Sequence, residues 1–325
     1  MEFTKLGRTG LKVSRLCLGT MNFGPETDEK ESFRMMDAAL DAGINFFDTA
    51  NVYGGQGHRG RTEEIIGRWF AQGGGRRERV VLATKVYNVM DNPLDGPNEG
   101  PGLSAYKIRR HLESSLKRLQ TDHVELYQMH HIDRNCTWDE LWGAFELAVQ
   151  QGKVGYVGSS NFAGWHLAVA QAAAKERHFL GLVSEQHMYN LLCREPELEV
   201  LPASESLGIG VIPWSPLAGG LLGRNALTKT GSRSARATQS LEKHRTQLEA
   251  FAALCQELGE PQDVVALAFV LKHPAVTAPI IGPRTLQQLE DSLHVLDVHL
   301  SEEVMGRLHE IFPGPGKPAP EAYSW

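Results

Sequence analysis

The chain has 325 residues, 42% of them hydrophobic, which suits one large barrel or two ordinary domains around a sizeable core. Its net charge of −6 argues against nucleic acid or an anionic membrane as the main partner. Cys17, Cys136, Cys193 and Cys255 lie far apart with no C-x-x-C pair, so they read as reduced packing residues of a cytosolic protein.

In chain order, residues 4–6 and 12–14 flank the turn residues 7–10 and predict a small hairpin. Residues 16–18 form a short strand ending at Gly19-Thr20. From 28 to 42, Phe33, Met36 and Leu40 recur at helical spacing, with Asp28 as N-cap and Gly43 as stop. The stretch 43–53, GINFFDTANVY, is the one the rest is organised around. Ile44, Phe46 and Phe47 give the apolar run of a buried parallel strand, which stops at Asp48; Tyr53 and a Gly-rich turn over 54–60 follow. A helix over 62–72 carries Ile65, Ile66, Trp69 and Phe70. Strand 80–84 then delivers Lys85, and after a helix over 104–119, strand 124–129 delivers His130. Further cycles are a helix at 137–151, strand 154–159 with a helix at 164–175, and strand 182–185 with a helix near 195–207. Strand 209–213 follows, and the last cycle is strand 279–281 with a helix at 285–296. Strands alternating with helices mark a parallel α/β fold. No linker and no repeat divides the chain, so residues 1–325 are expected to form one domain.

Two segments exceed the ~2–6 residues usual for a βα loop. Residues 88–103, NVMDNPLDGPNEGPGL, are rich in Gly, Pro, Asn and Asp; residues 217–239 carry Arg224, Lys229, Arg233 and Arg236. Both follow strands and so belong to the catalytic face of a parallel sheet, as lids or binding loops. The opening MEFTKLGRTG lacks the apolar core of a signal peptide, and no apolar run reaches the ~18 residues of a membrane span. The expectation is a cytoplasmic protein.

Asp48, Tyr53, Lys85 and His130 at the ends of three strands can converge only if those strands are neighbours in one parallel sheet. Taken singly they read as a structural Lys–Asp pair, a core tyrosine and a buried histidine; their shared position favours chemistry. A free tyrosine has a pKa of ~10, which a nearby ammonium lowers while a carboxylate keeps that ammonium charged. Lys85 and Asp48 can supply these effects to Tyr53 as a general acid, with His130 as hydrogen-bond donor or relay. His130-His131 does not read as a metal site, since neighbours on a strand face opposite ways, and no H-E-x-x-H or Cys/His cluster occurs. No metal is expected. GQGHRG over 55–60 matches G-x-G-x-x-G formally, but the next strand ends in Thr84-Lys85 where a dinucleotide fold needs an acidic residue. A strand delivering Gly282, with Arg284 and Thr285 opening a helix, favours phosphate.

DTANVYG, ATK, YQMHH, VGSSNF and IIGPRTLQQLED, in this order, resemble the aldo-keto reductase family from residues 6–10 to about residue 312. The resemblance implies a (β/α)₈ TIM barrel with an N-terminal β-hairpin and long catalytic-face loops. It implies NADPH bound without a Rossmann domain, and a small carbonyl substrate reduced by hydride transfer with Asp48, Tyr53, Lys85 and His130. Ser160, Asn161 and Gln186 would hold the nicotinamide amide, Trp214 would stack on its ring, and Gly19, Thr20, Asp48, Ser215, Leu217 and Gly282 would line the cofactor. Arg284 would contact the 2′-phosphate, with Gln288 and Asp291 at the adenine; Ser292 stands where the family often has Asn. The rival functions are a non-catalytic cofactor-binding subunit like the channel β-subunits of this fold, and a barrel aldolase or isomerase with Lys85 as Schiff-base amine. Asp48 as its partner argues against that use of the lysine. The stretches 67–78, 127–134, 157–166, 181–186 and 318–323 are similar to reductases of deoxysugar pathways, implying a nucleotide-linked keto-deoxyhexose. A broad-specificity aldehyde or ketone reductase is the alternative.

Overall fold

The chain opens on an antiparallel hairpin, β1 (Phe3–Lys5) and β2 (Lys12–Ser14). In the computed structural model, which describes residues 1–91, 95–224, 226–227 and 235–324, eight parallel strands follow. They are β3 (Cys17–Gly19), β4 (Phe46–Asp48), β5 (Val81–Val86), β6 (Val124–Met129), β7 (Val154–Ser160), β8 (Leu182–Gln186), β9 (Gly210–Val211) and β10 (Ile280–Ile281). From β3 to β9 each strand pairs with the next in the chain, and β10 pairs with β3. Residues 275–280 close the ring. Val211 N donates to Ala275 O at 3.0 Å, Thr277 N to Val211 O at 2.8 Å, and Ile280 N to Pro213 O at 2.8 Å, while Cys17 N donates to Pro279 O at 3.1 Å. This is the (β/α)₈ barrel, closed so that no long strand edge is left unpaired.

Side chains alternate along a strand, and here the alternation separates two cores. Phe47, Trp69, Leu82, Tyr127 and Trp142 pack between the sheet and the surrounding helices. Cys17, Phe46, Ala83, Leu126, Val183, Ile212 and Ala278 fill the interior, joined by Leu6 and Val13 of the hairpin, which stoppers one end. Two residues further along the same inward rows come Gly19, Asp48, Lys85 and Gln128. The apolar interior thus becomes the floor of a polar layer.

Local signals set the helix starts. Asp28 Oδ1 accepts from Glu31 N at 2.8 Å ahead of the helix Glu29–Asp41, and Ser104 Oγ accepts from Lys107 N at 3.2 Å ahead of Ala105–Leu119. Gly43, at φ +86°, turns the chain out of the first of these.

Several expected boundaries move. β5, β7 and β8 run on through Lys85, Ser160 and Gln186, because a polar side chain facing a barrel interior does not interrupt the backbone ladder. The helix expected near 195–207 divides into a 3₁₀ turn, Glu195–Glu197, and a helix, Val200–Leu207. Glu199 leaves the helical region between them and accepts from Gly164 N at 3.0 Å. The expected loop over 217–239 ends sooner, since a helix spans Ala235–Leu258 and another Gln262–Lys272 before the last strand. Helices Glu302–Ile311 and Glu321–Ser324 also follow. Among the described residues no helix is long and apolar enough to cross a membrane.

Candidate active site

Lys85 Nζ donates to Asp48 Oδ2 at 2.5 Å, to Thr49 O at 2.9 Å and to the Tyr53 hydroxyl at 3.2 Å. An ammonium has three protons to satisfy, and here each has an acceptor. This matters because the Lys85 and Asp48 side chains are 0% and 3% exposed, and an unpaired charge at that depth would be costly. Asp48 Oδ1 faces the other way and accepts from Gln128 Nε2 at 3.0 Å and Gln186 Nε2 at 2.8 Å. Four strands therefore meet on one carboxylate.

Tyr53 reaches this group from the turn after β4. Gly54, at φ +135°, makes that turn possible, and a Cβ there would stand 2.1 Å from His58 O. Gly60 N closes the turn on Tyr53 O at 2.9 Å. The His130 ring meets the Tyr53 ring edge-on, with centroids 6.0 Å apart. Asn88 Nδ2 lies 3.3 Å from His130 Nδ1, and Asn161 Nδ2 donates to His130 O at 3.1 Å. His131 points elsewhere, against Tyr87 and Ile132 O, both histidines lying in the bend after β6.

Burial works against the charge of Lys85, but Asp48 and Tyr53 together outweigh it and hold the ammonium above its ordinary range. For Tyr53 the expected lowering is corrected. Burial pushes the phenol above its ordinary value, and the pull of Lys85 does not overcome it because Asp48 offsets much of the ammonium's field. Tyr53 keeps its proton at neutral pH, as a general acid must. Burial, then Lys85 and His131, push His130 down to about 3, so its ring is neutral.

The residues expected around a nicotinamide gather beside the tetrad. Ser160 Oγ donates to Gln186 O at 2.8 Å and accepts from Asn161 Nδ2 at 3.0 Å. Asn161 sits at φ +61°, and its Oδ1 accepts from Trp214 Nε1 at 3.2 Å. It caps no helix, since Ala163 precedes Gly164–Glu176. Thr20 Oγ1 donates to Asp48 O at 2.9 Å, and Ser215 O accepts from Asn190 Nδ2 at 2.9 Å. At the other end, Gly282 O accepts from Asn22 Nδ2 at 3.0 Å, and Thr285 caps the helix Leu286–Leu293. Arg284 N donates to Gln288 Oε1 at 2.8 Å, and Arg284 Nε lies 2.9 Å from Glu26. Amide and hydroxyl groups at one end, with a guanidinium and a helix N-terminus at the other, form a donor set that fits a carboxamide and a phosphate.

Among the basic residues of the second long loop, Arg224 is not free. Arg224 pairs with Asp263 at 2.8 Å and Asp291 at 3.1 Å, so its charge is neutralised beside the Leu286–Leu293 helix. Lys229 and Arg233 lie outside the described residues, as does the Arg236 side chain. The same holds for Trp325 and for the side chains of Tyr323 and Ser324.

The sequence reading passed over Gln128 and Asn88. Gln128 had one visible signal, a polar residue on the inward row of the otherwise apolar β6, two residues after Leu126. Asn88 had none, because its partner lies beyond the end of the next strand, 42 residues on in the chain.

The aldo/keto reductase family model matches residues 15–312. Over the full length of both chains, 64% of residues are identical to the uncharacterized oxidoreductase YrpG of Bacillus subtilis (strain 168). Versiconal hemiacetal acetate reductase of Aspergillus parasiticus is 32% identical over 95% of this chain and 96% of its own. A probable voltage-gated potassium channel subunit beta of Oryza sativa subsp. japonica is 32% identical over 96% of each chain.

Proposed function

Because the chain belongs to the aldo/keto reductase family, we propose that it is an NADPH-dependent oxidoreductase that reduces a ketone or aldehyde to an alcohol, with Tyr53 as general acid. The observation that carries this reading is Lys85 Nζ within hydrogen-bond distance of both Asp48 and the Tyr53 hydroxyl. A bound reduced nicotinamide supplies the hydride. Tyr53 gives its proton to the alkoxide oxygen as charge develops there, and Lys85 stabilises the phenolate left behind. Asp48 keeps Lys85 charged and is itself oriented by Gln128 and Gln186. Neutral His130 donates a hydrogen bond to the same substrate oxygen. Ser160, Asn161 and Gln186 receive the carboxamide, and Trp214 the ring face. Gly19, Thr20, Ser215, Leu217 and Gly282 line the path to Arg284, which takes the 2′-phosphate, and to Gln288 and Asp291 at the adenine.

For the substrate we propose a nucleotide-linked keto-deoxyhexose. The support is the similarity of stretches such as 67–78, 157–166 and 181–186 to deoxysugar-pathway reductases, together with two long catalytic-face loops. The pairing of Arg224 with two carboxylates favours the second reading, a broad-specificity aldehyde and ketone reductase, since it removes one cation from a diphosphate site. Steady-state NADPH oxidation against a panel of keto-sugar nucleotides, free sugars and simple aldehydes separates the two. In the same assay Tyr53→Phe should lose ~10²–10⁴-fold in turnover with NADPH binding intact. Near wild-type turnover in this variant would remove Tyr53 from the mechanism, and a wild type that binds NADPH but reduces no carbonyl would favour the channel-subunit role.

A further inference from the structure

We propose that Asn88 is a positioning residue that sets the tautomer of His130, so that the ring presents an Nε2–H toward the carbonyl oxygen. The inference rests on the reductase reading for its purpose, though the tautomer itself can be read in the protein alone.

Asn88 Nδ2 lies 3.3 Å from His130 Nδ1. An amide nitrogen can only donate, so Nδ1 must accept and carry no proton. A neutral imidazole has one N–H, which leaves it on Nε2. The surroundings keep the ring neutral. Lys85 and His131 are the charged or titratable groups that oppose a proton on it, and Tyr53 packs edge-on against it. Asp48, the nearest carboxylate of the tetrad, is fully engaged by Lys85, Gln128 and Gln186. Among the described residues the Asn88 amide, and no carboxylate, is hydrogen-bonded to the His130 ring, and it distinguishes Nδ1 from Nε2.

The placement of Asn88 is itself constrained. It follows β5, the strand that carries Lys85, and begins the long loop over 88–103. Residues 95–102 of that loop are tied down by the helix Ala105–Leu119 and by Tyr87. His111 Nε2 bonds Asp95 Oδ2 at 2.6 Å, Lys107 Nζ donates to Glu99 O and Gly100 O, and Gly102 N returns to Tyr87 O at 2.9 Å. His111 Nδ1 in turn accepts from Asn51 Nδ2 at 2.9 Å, on the segment between Asp48 and Tyr53. The loop and the tyrosine's own segment are thus held in one frame. The opposite tautomer would turn a nitrogen lone pair toward the substrate oxygen and repel the charge that forms there.

Two measurements test this. Nitrogen-15 NMR of the full chain without cofactor should show His130 with Nε2 protonated and Nδ1 bare. Asn88→Asp puts a carboxylate at Nδ1, which must move the proton to Nδ1 in the neutral ring and raise the pKa of the imidazolium. In that variant turnover near pH 8 should fall about 10²-fold, the scale for losing one donor to a developing oxyanion. It should recover as pH drops through the raised pKa, because the imidazolium donates from both nitrogens. Should Asn88→Asp fail to fold, Asn88→Ala should show both tautomers of His130 by NMR. An Nδ1–H tautomer in the wild type would overturn the proposal. So would a His130 spectrum unchanged in Asn88→Ala, or an Asn88→Asp enzyme with wild-type turnover at every pH. Failure to find any reducible carbonyl would count against the reductase reading and leave the tautomer to be decided by NMR.

Discussion

Arg284 Nε stands 2.9 Å from the carboxylate of Glu26, each side chain about half exposed, at the head of the helix Leu286–Leu293. A pair this exposed contributes at most ~1 kcal/mol, so an arriving phosphate can displace Glu26 from the guanidinium. Arg284→Ala should weaken NADPH by ~1.5–3 kcal/mol, about 10–100-fold in KM, and leave NADH little changed. Glu26→Gln should do the opposite, lowering KM for NADPH a few-fold by removing a competitor. Equal effects on both cofactors in steady-state kinetics would show that Arg284 only shapes the loop.

Gln128→Leu removes one of the two amide donors on Asp48 Oδ1 while keeping the side chain's bulk. A hydrogen bond to a buried charged group is worth ~1.5–3 kcal/mol, and denaturant unfolding should register a loss of that order. Turnover should fall with it while KM for the cofactor moves little. Full turnover in a destabilised variant would reduce Gln128 to a structural role.

Gly158 lines the same layer from β7. A Cβ there would stand 2.3 Å from Ser184 Oγ and 3.1 Å from Gln128 Cγ. Gly158→Ala should cost ~1–3 kcal/mol of stability by overpacking and lower turnover by displacing Gln128. Thermal unfolding and a turnover assay on the same sample would show whether the two losses travel together.

Lys85→Met leaves the Asp48 carboxylate buried without its counter-charge. Breaking a buried pair from one side costs ~3–5 kcal/mol, so this variant should unfold at distinctly lower denaturant, besides losing turnover. Lys85→Met combined with Asp48→Asn should regain much of the stability and none of the activity.

The folded protein should lose stability as the solution turns acidic. His130 is pushed down to about 3, and burial also lowers His111 despite Asp95. In the unfolded chain both take up protons below ~6.5, which the folded state refuses, so the unfolded state binds more protons there. The unfolding free energy should therefore drop below that value, by up to ~1.4 kcal/mol per pH unit from His130, with His111 adding in the same direction. For His130 the drop should continue toward about 3. Urea unfolding at about pH 7 and about pH 5 should show the slope, and His130→Asn should flatten part of it. A stability unchanged over that range would contradict the burial assigned to both rings.

Which parts of this were legible in the sequence follows from where each signal resides. Strand positions could be read because runs such as residues 80–83, and Ile44, Phe46 and Phe47 around Asn45, are mainly apolar. Strand ends could not, since Lys85, Ser160 and Gln186 look like loop residues until the barrel interior is known to be polar at their level. The helix Ala235–Leu258 begins in a stretch whose Ser, Thr and Arg read as loop, and its buried Leu248, Phe251, Leu254 and Cys255 cluster in the second half. The convergence of Asp48, Tyr53 and Lys85 was legible from strand order. The direction of the Tyr53 shift was not, because it depends on a balance of burial against a partly cancelled charge.

Asp48 also polices how the barrel assembles. It gathers donors from β5, β6 and β8, strands that each have defined partners in the sheet, with one register shift between β7 and β8 at Val157/Gly158. A slip of one residue turns every side chain of a strand to the opposite face. Slipped β5 would bring Thr84 or Val86 inward in place of Lys85 and leave a bare carboxylate in the interior; slipped β8 would set Glu185 against it. A buried charge so stranded costs ~3–5 kcal/mol, comparable to much of a domain's net stability. Misaligned barrels would thereby be disfavoured by the same side chains that, in register, would hold the acid ready. Proofreading of assembly and readiness for chemistry are a single test, passed or failed together.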